Sequence, residues 1–145
     1  MFKRFRLHAI LILACAVIIF YPMLREKPDT EKAEQALVAA AQFLSLVDAA
    51  EYGRSWQQGA ELLKEKVSRE QWIDQLTKIH ALYGALIERS HRESTFTTSA
   101  LDSPDGEYII LQYESSFKNK ESVNETVIAT LEPDGNWRVA GYHIQ

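Results

Sequence analysis

Residues 106–145 read GEYIILQYESSFKNKESVNETVIATLEPDGNWRVAGYHIQ, and their parity decides the fold. Ile109, Leu111, Tyr113 and Phe117 fall on odd positions, followed by Val123, Val127, Ala129 and Leu131 and then by Trp137 and Val139, while most polar residues fall on even ones. Apolar residues at a period of two mark strands with one buried face. Three such runs in succession predict an antiparallel meander. The second turn, Glu132-Pro133-Asp134-Gly135-Asn136, has Pro to fix φ at the first corner and Gly where φ must be positive, which suits a three-residue hairpin loop. That loop sets Leu131 opposite Trp137, Ala129 opposite Val139, Val127 opposite Gly141 and Glu125 opposite His143. At the first turn, residues 118–121, a loop of three to five residues sets Leu111 opposite Ala129 and Ile109 opposite Leu131. A two-residue turn there breaks the match.

Upstream of the meander the period changes to that of helices. Pro28-Asp29-Thr30 opens a first helix, with Asp29 or Thr30 as N-cap and Glu31 near the positive end of the helix dipole. Ala33, Ala36, Leu37, Ala40, Ala41, Leu44 and Val47 form one apolar stripe, widened by Phe43 and Leu46. It is the natural cover for the apolar face of the sheet. A short helical piece holds Ser55 and Trp56, and residues 59–67 form another. Ser68-Arg69-Glu70-Gln71 is a capping box with Val67 and Trp72 at the staple positions. The helix it starts carries Trp72, Leu76, Ile79, His80 and Tyr83 on one side and ends at Gly84. His80 on that stripe reads as a hydrogen-bonded, half-buried residue. Residues 85–99 are rich in Ser and Thr and too long for one regular strand, so they predict a bent or bulged edge strand.

The N-terminal 27 residues are of another kind. A basic head, Lys3, Arg4 and Arg6, leads into a run that is apolar through Leu24 except for His8 and the Tyr21-Pro22 interruption, and residues 5–24 just supply the roughly 20-residue length that a membrane-spanning helix needs. The head outweighs Arg25, Glu26 and Lys27 on the other side. The positive-inside rule then places the N-terminus in the cytoplasm and the rest of the chain outside an inner membrane, in the periplasm of a Gram-negative cell. Two alternatives use the same stretch: a lipoprotein signal with lipid on Cys15, or a cleaved signal peptide at Ala14-Cys15-Ala16. The expected organisation is a membrane anchor or signal segment over residues 1–27 and one α+β domain over residues 28–145.

Composition removes several function classes. The whole chain is at net −4 and the N-terminal segment is basic, so the domain is acidic and repels phosphate backbones. Nucleic acid is not an expected partner. Cys15 is the only cysteine, which leaves the domain without a disulfide framework, a thiolate metal site or a cysteine nucleophile. His80, His91 and His143 lack metal-ligand spacing, and no cofactor motif is present.

The expected register brings Ser115, Glu125 and His143 into one rung on the inward face. Three flat neighbouring strands provide no sharp elbow for a nucleophilic serine and no helix N-terminus for an oxyanion hole, so the rung reads as polar closure of the core. If the domain holds a pocket between helices and sheet, Tyr113, Glu125 and His143 are the residues expected to line it. The opposite face carries Tyr108, Ile110, Ile128, Tyr142 and Ile144 among polar neighbours. Ile110, Ile128 and Tyr142 are the candidate surface for a protein partner or a second copy.

The stretches Phe43-Leu-Ser-Leu-Val-Asp-Ala-Ala-Glu-Tyr-Gly-Arg-Ser-Trp56, Ser68-Arg-Glu-Gln-Trp72, Pro104-Asp-Gly-Glu-Tyr-Ile-Ile-Leu111, Phe117-Lys-Asn-Lys120, Glu125-Thr-Val127 and Asp134-Gly-Asn-Trp-Arg-Val-Ala-Gly-Tyr142 together resemble the bacterial domain-of-unknown-function family DUF 4019, over about residues 33–144. The resemblance implies helices packed on a curved antiparallel sheet of about four strands, similar to cystatin-like and nuclear-transport-factor-2-like architectures. It implies no activity. The expected function is a membrane-anchored extracytoplasmic interaction module without enzymatic activity. The alternative is a small-molecule-binding or acid/base catalytic domain built on the pocket between helices and sheet.

Overall fold

The structure is a computed structural model and describes residues 26–100 and 102–145. The expected membrane segment lies outside the described residues. Four helices come first, α1 (Thr30–Asp48), α2 (Tyr52–Gln57), α3 (Glu61–Lys66) and α4 (Arg69–Tyr83), and four strands follow, β1 (Leu86–Thr97), β2 (Tyr108–Phe117), β3 (Lys120–Leu131) and β4 (Trp137–Ile144). The strands form one antiparallel sheet in the order β1-β2-β3-β4. The expected α+β order is therefore the observed one.

The helices cover one face of the sheet. Ala36 and Ala40 are fully buried, and their small side chains let α1 approach the strands closely enough for Phe43, Leu44 and Val47 to fill the space beyond. Opposite them lie Ile109, Leu111, Val127, Ala129, Trp137 and Val139. The α4 start is the capping box expected from sequence: the Gln71 amide donates to Ser68 Oγ at 3.2 Å and the Ser68 amide donates to Gln71 Oε1 at 3.2 Å. Trp72 from that helix lies 6.0 Å from the Phe43 ring, and its indole donates to Ser55 Oγ at 3.0 Å. α3 sits at the β4 edge, where the Ala60 amide donates to the Val139 carbonyl at 2.8 Å.

The register departs from expectation at two bulges. The β2–β3 connection is the two-residue turn Lys118-Asn119, with Phe117 opposite Lys120. Glu121 and Ser122 then stand opposite the single residue Ser116, and Ser122 takes φ of 54°. This bulge restores the parity that a two-residue turn alone would invert. Ile109 comes opposite Ala129 and Leu111 opposite Val127, two residues from the expected partners but on the expected face. In β4 the Pro-Asp-Gly turn pairs Leu131 with Trp137 and Ala129 with Val139, as expected, but Ile128 then pairs with Gly141 and leaves Ala140 as an extra residue. From there the face changes. Tyr142 comes opposite Val127 and turns inward, while His143 comes opposite Thr126 and is exposed. Gly141 suits the crossing, because the Ile128 side chain lies over it, 3.3 Å from where a Cβ would be.

β1 is the bulged edge strand expected from its length. Ile87 and Arg92 are both skipped in its pairing with β2, so the inward set runs Leu86, Arg89, His91, Ser94 and Phe96. The described chain begins on this edge, with Glu26 bridged antiparallel to Phe96.

Gly135 in the β3–β4 turn has φ of 84°, and nothing lies within 4 Å of the position its Cβ would take. The cost of a side chain there is therefore conformational alone. Gly135→Ala is expected to lower stability by about 1 kcal/mol, read as a fall in the urea midpoint at constant m; an unchanged midpoint would mean the turn adopts another type without cost.

Candidate functional site

The polar residues that the sheet turns inward converge on Glu125, which is 0 % exposed. Its two oxygens take four donors. Oε1 accepts from Arg89 Nε at 2.7 Å and from the Ser115 hydroxyl; Oε2 accepts from Arg89 Nη2 at 3.1 Å and from the Tyr142 phenol. The other side of the same guanidinium holds Asp48 at the end of α1, with Nη1 to Oδ2 at 2.7 Å and Nη2 to Oδ1 at 2.9 Å. Arg89 is thus clamped between two carboxylates, and its side chain keeps only 13 % exposure.

The electrostatics follow from this packing. Burial pushes the Glu125 carboxyl up, but the donors from Arg89, Ser115 and Tyr142 outweigh it and hold the group below the usual carboxylate range. Glu125 is therefore ionised, and its contribution to stability is present above the ordinary carboxylate range and lost only as pH falls through its lower folded value. Burial likewise opposes the charge on Arg89, and Asp48 and Glu125 overcome it. Burial pushes the Tyr113 phenol up to about 12, and burial together with the Glu125 charge pushes Tyr142 higher still. Both phenols keep their protons across the physiological range.

His80 borders this network from α4. Its ring packs 5.7 Å from Tyr52 and 5.9 Å from Phe117, and its buried Nε2 has no hydrogen-bond partner. The residue is half-buried, as the sequence suggests, but not through a hydrogen bond at Nε2. Burial lowers its pKa, with Asp48 and Glu125 pulling it up and Arg89 pushing it down.

The structure rearranges the pocket residues expected from sequence. Tyr113 and Glu125 are paired across β2 and β3 on the inward face, where the expected register set Ser115 opposite Glu125. His143 is not with them: the extra residue at Ala140 sends it to the outer face, so the expected Ser115, Glu125 and His143 rung does not form; Glu125 lies between Tyr113 and Ile144, and Ser115 and Tyr142 reach it from neighbouring rungs. Of the expected partner surface, Ile110 and Ile128 lie opposite each other on the outer face, but Ile110 is buried there and Ile128 half-buried, and Tyr142 belongs to the core and touches Phe43 at 5.7 Å between rings. Ile110 and Ile128 line a groove of about 610 Å³ together with Leu62, Lys66, Ala140 and Gly141, and His143 stands at it too. The loop after β1 folds against this face, where the Tyr108 phenol donates to the Pro104 carbonyl at 2.6 Å and Lys66 Nζ donates to Ser103 Oγ at 2.8 Å. Among the described residues no group of three His, Cys, Asp or Glu side chains is placed to hold a metal ion, and no helix is long and apolar enough to cross a membrane.

Arg89 and Asp48, the two residues that complete the network, are not legible from parity. The bulge at Ile87 moves Arg89 onto the inward face. Asp48 carries one signal in the sequence: a carboxylate in the last turn of a helix opposes the dipole and calls for a cation.

A family model described as a protein of unknown function, DUF4019, matches residues 39–142. The chain belongs to the DUF4019 family. The DUF4019 match begins inside α1 and ends at Tyr142, so it includes Asp48, Arg89, Ser115, Glu125 and Tyr142. No curated protein matches the chain.

Removing Arg89 leaves a buried carboxylate without its counter-charge. Arg89→Met is expected to cost about 3–5 kcal/mol in urea unfolding, and adding Glu125→Gln to recover more than about 1 kcal/mol of that loss; additive losses would mean the pair is not coupled. For His80 the folded pKa lies below the unfolded one, so its contribution is present above about pH 6.5 and lost as pH falls through the folded value. His80→Leu is therefore expected to flatten the fall in urea midpoint between about pH 7 and pH 5, and a variant with the wild-type slope would remove this account.

Proposed function

We propose that this DUF4019 protein is a membrane-anchored, extracytoplasmic interaction module without catalytic activity, which meets a protein partner or a second copy through the outer face of its sheet. The observation that carries the reading is how the polar groups are used. Inside, each oxygen of Glu125 is occupied twice, Arg89 is shared between two carboxylates, and the surrounding space is taken up by Phe43, Val47, Leu111 and Val127. A carboxylate held so is ionised and has no lone pair directed at a substrate, which suits a structural anchor better than a general acid or base. Outside, the half-buried Ile128 and Leu62 line an apolar groove beside the buried Ile110, the type of surface used for contacts between proteins.

The largely apolar run over residues 5–24, with Lys3, Arg4 and Arg6 at its start, supports a single-pass inner-membrane anchor with the domain in the periplasm. The order of helices followed by a four-stranded meander supports grouping the domain with the cystatin-like and nuclear-transport-factor-2-like architectures.

A small-molecule reading has one observation in its favour, a recess of about 310 Å³ where α1 meets β4, lined by Ala39, Gln42, Phe43, Trp137, Arg138 and Val139. It contains neither Tyr113 nor Glu125, and Arg138 there is already paired with Glu132 and Asp134.

A photo-crosslinking residue at His143, exposed beside the groove, is expected to give a defined adduct in cell membranes, either a dimer of this chain or a complex with one other protein. Asp74 on the exposed side of α4 serves as the control position. Ile128→Lys is expected to weaken the His143 adduct roughly tenfold or more with the urea midpoint retained. Equal labelling from both positions, or no adduct at His143, would overturn the reading.

A further inference from the structure

Glu26 is the first described residue, and it is already part of the sheet. The Phe96 amide donates to its carbonyl at 2.8 Å, and α1 begins at Thr30. In the sequence only Arg25 stands between Leu24, the last residue of the apolar run, and this bridge. A tether of one residue permits almost none of the freedom that a flexible linker gives.

The bridge also has a direction. It is antiparallel, so the N-terminal side of Glu26 faces the Thr97 end of β1. The same end of the domain carries the loop after β1, the first turn of α1, where Lys32 pairs with Glu107, and the 132–136 turn, where Glu132 accepts from the Glu61 amide. The opposite end carries Gly84, the Lys118-Asn119 turn that bonds to the Tyr83 and Ala85 carbonyls, and the C-terminus, where Gln145 exchanges two backbone hydrogen bonds with Asn124.

We infer that the domain stands on the bilayer in one orientation, with the loop after β1 and the 132–136 turn at the headgroups and the Lys118-Asn119 turn held away from them. The inference rests on residues 5–24 being a membrane anchor and adds which end of the domain meets the lipid. Charge does not produce this orientation, because the lipid-facing end exposes Asp29, Asp102, Asp105 and Asp134, which an anionic leaflet repels. What sets it is the short covalent tie together with the Glu26–Phe96 bridge. The membrane-distal end is then where Leu82 and Ile87, the large apolar side chains with 72 % and 69 % exposure, remain accessible.

The test uses the full-length protein with Cys15→Ser, reconstituted in phosphatidylcholine vesicles that carry an acceptor dye on the headgroup. A donor dye is attached in turn at Asp105→Cys, Asp134→Cys and Asn119→Cys, all exposed positions. β3 spans twelve residues, or roughly 40 Å, between the two ends, so energy transfer is expected to be at least about twofold higher from positions 105 and 134 than from 119. Inserting six Gly and Ser residues between Arg25 and Glu26 is expected to erase the difference. Equal transfer from all three positions of the uninterrupted chain, or the highest from position 119, would overturn the inference while leaving the anchor intact. Flotation of the same vesicles after an alkaline wash reads the anchor separately: protein that fails to float refutes the anchor, and the orientation with it.

Discussion

A carboxylate withdrawn from water costs several kcal/mol even after the surrounding protein relaxes, and Glu125 has been withdrawn completely. The rest of the domain is arranged around compensating it. Ser115 and Tyr142 come from the two flanking strands and Arg89 from one strand further out, so the charge is answered from β1, β2 and β4 at once. Through its other edge Arg89 also fixes the end of α1, because Asp48 would otherwise place a negative charge at the negative end of a helix dipole. One guanidinium thereby ties the longest of the described helices to the edge of the sheet, and the apolar core fills the volume these links enclose.

Much of this was legible in the sequence, and the parts that were not share one cause. The alternation from Ile109 to Val139 reports the buried face, the Ser68 capping box reports the start of α4, and Pro133-Asp134-Gly135 reports the turn that pairs Leu131 with Trp137. Each is a local rule with a local signature. A bulge is different, since one extra residue changes the face of everything that follows it. The β2–β3 register is displaced by two residues without a change of face, because Ser122 absorbs the odd residue and the apolar set stays inward. In β4 the odd residue has consequences, and it exchanges His143 for Tyr142.

That exchange decides the candidate site. A continuous parity through β4 places an imidazole beside Ser115 and Glu125, a constellation that suggests chemistry; the bulge replaces it with a phenol whose proton is held by burial and by the neighbouring charge. The trace of it in the sequence is the apolar pattern itself, which shifts from Trp137 and Val139 on odd positions to Ala140, Tyr142 and Ile144 on even ones, with Gly141 at the crossing. In β1 two bulges act in the same strand, so neither parity alone finds Leu86, Arg89 and Phe96 on one face. Asp48, by contrast, could be suspected of having a partner from its helix position, though not which one.

The irregularity of β1 bears on how many copies of this domain can crowd together. A regular twelve-residue edge would offer a long row of open amides and carbonyls, a template on which a neighbouring chain could stack and begin a fibre. Here the skipped residues Ile87 and Arg92 break that row into short pieces, and Glu26 caps its end. The opposite edge is closed at Val139 by α3. A domain with both borders blunted offers no long open edge for strand-by-strand stacking, so the same distortions that deliver Arg89 to Glu125 also disfavour edge-to-edge pairing between copies.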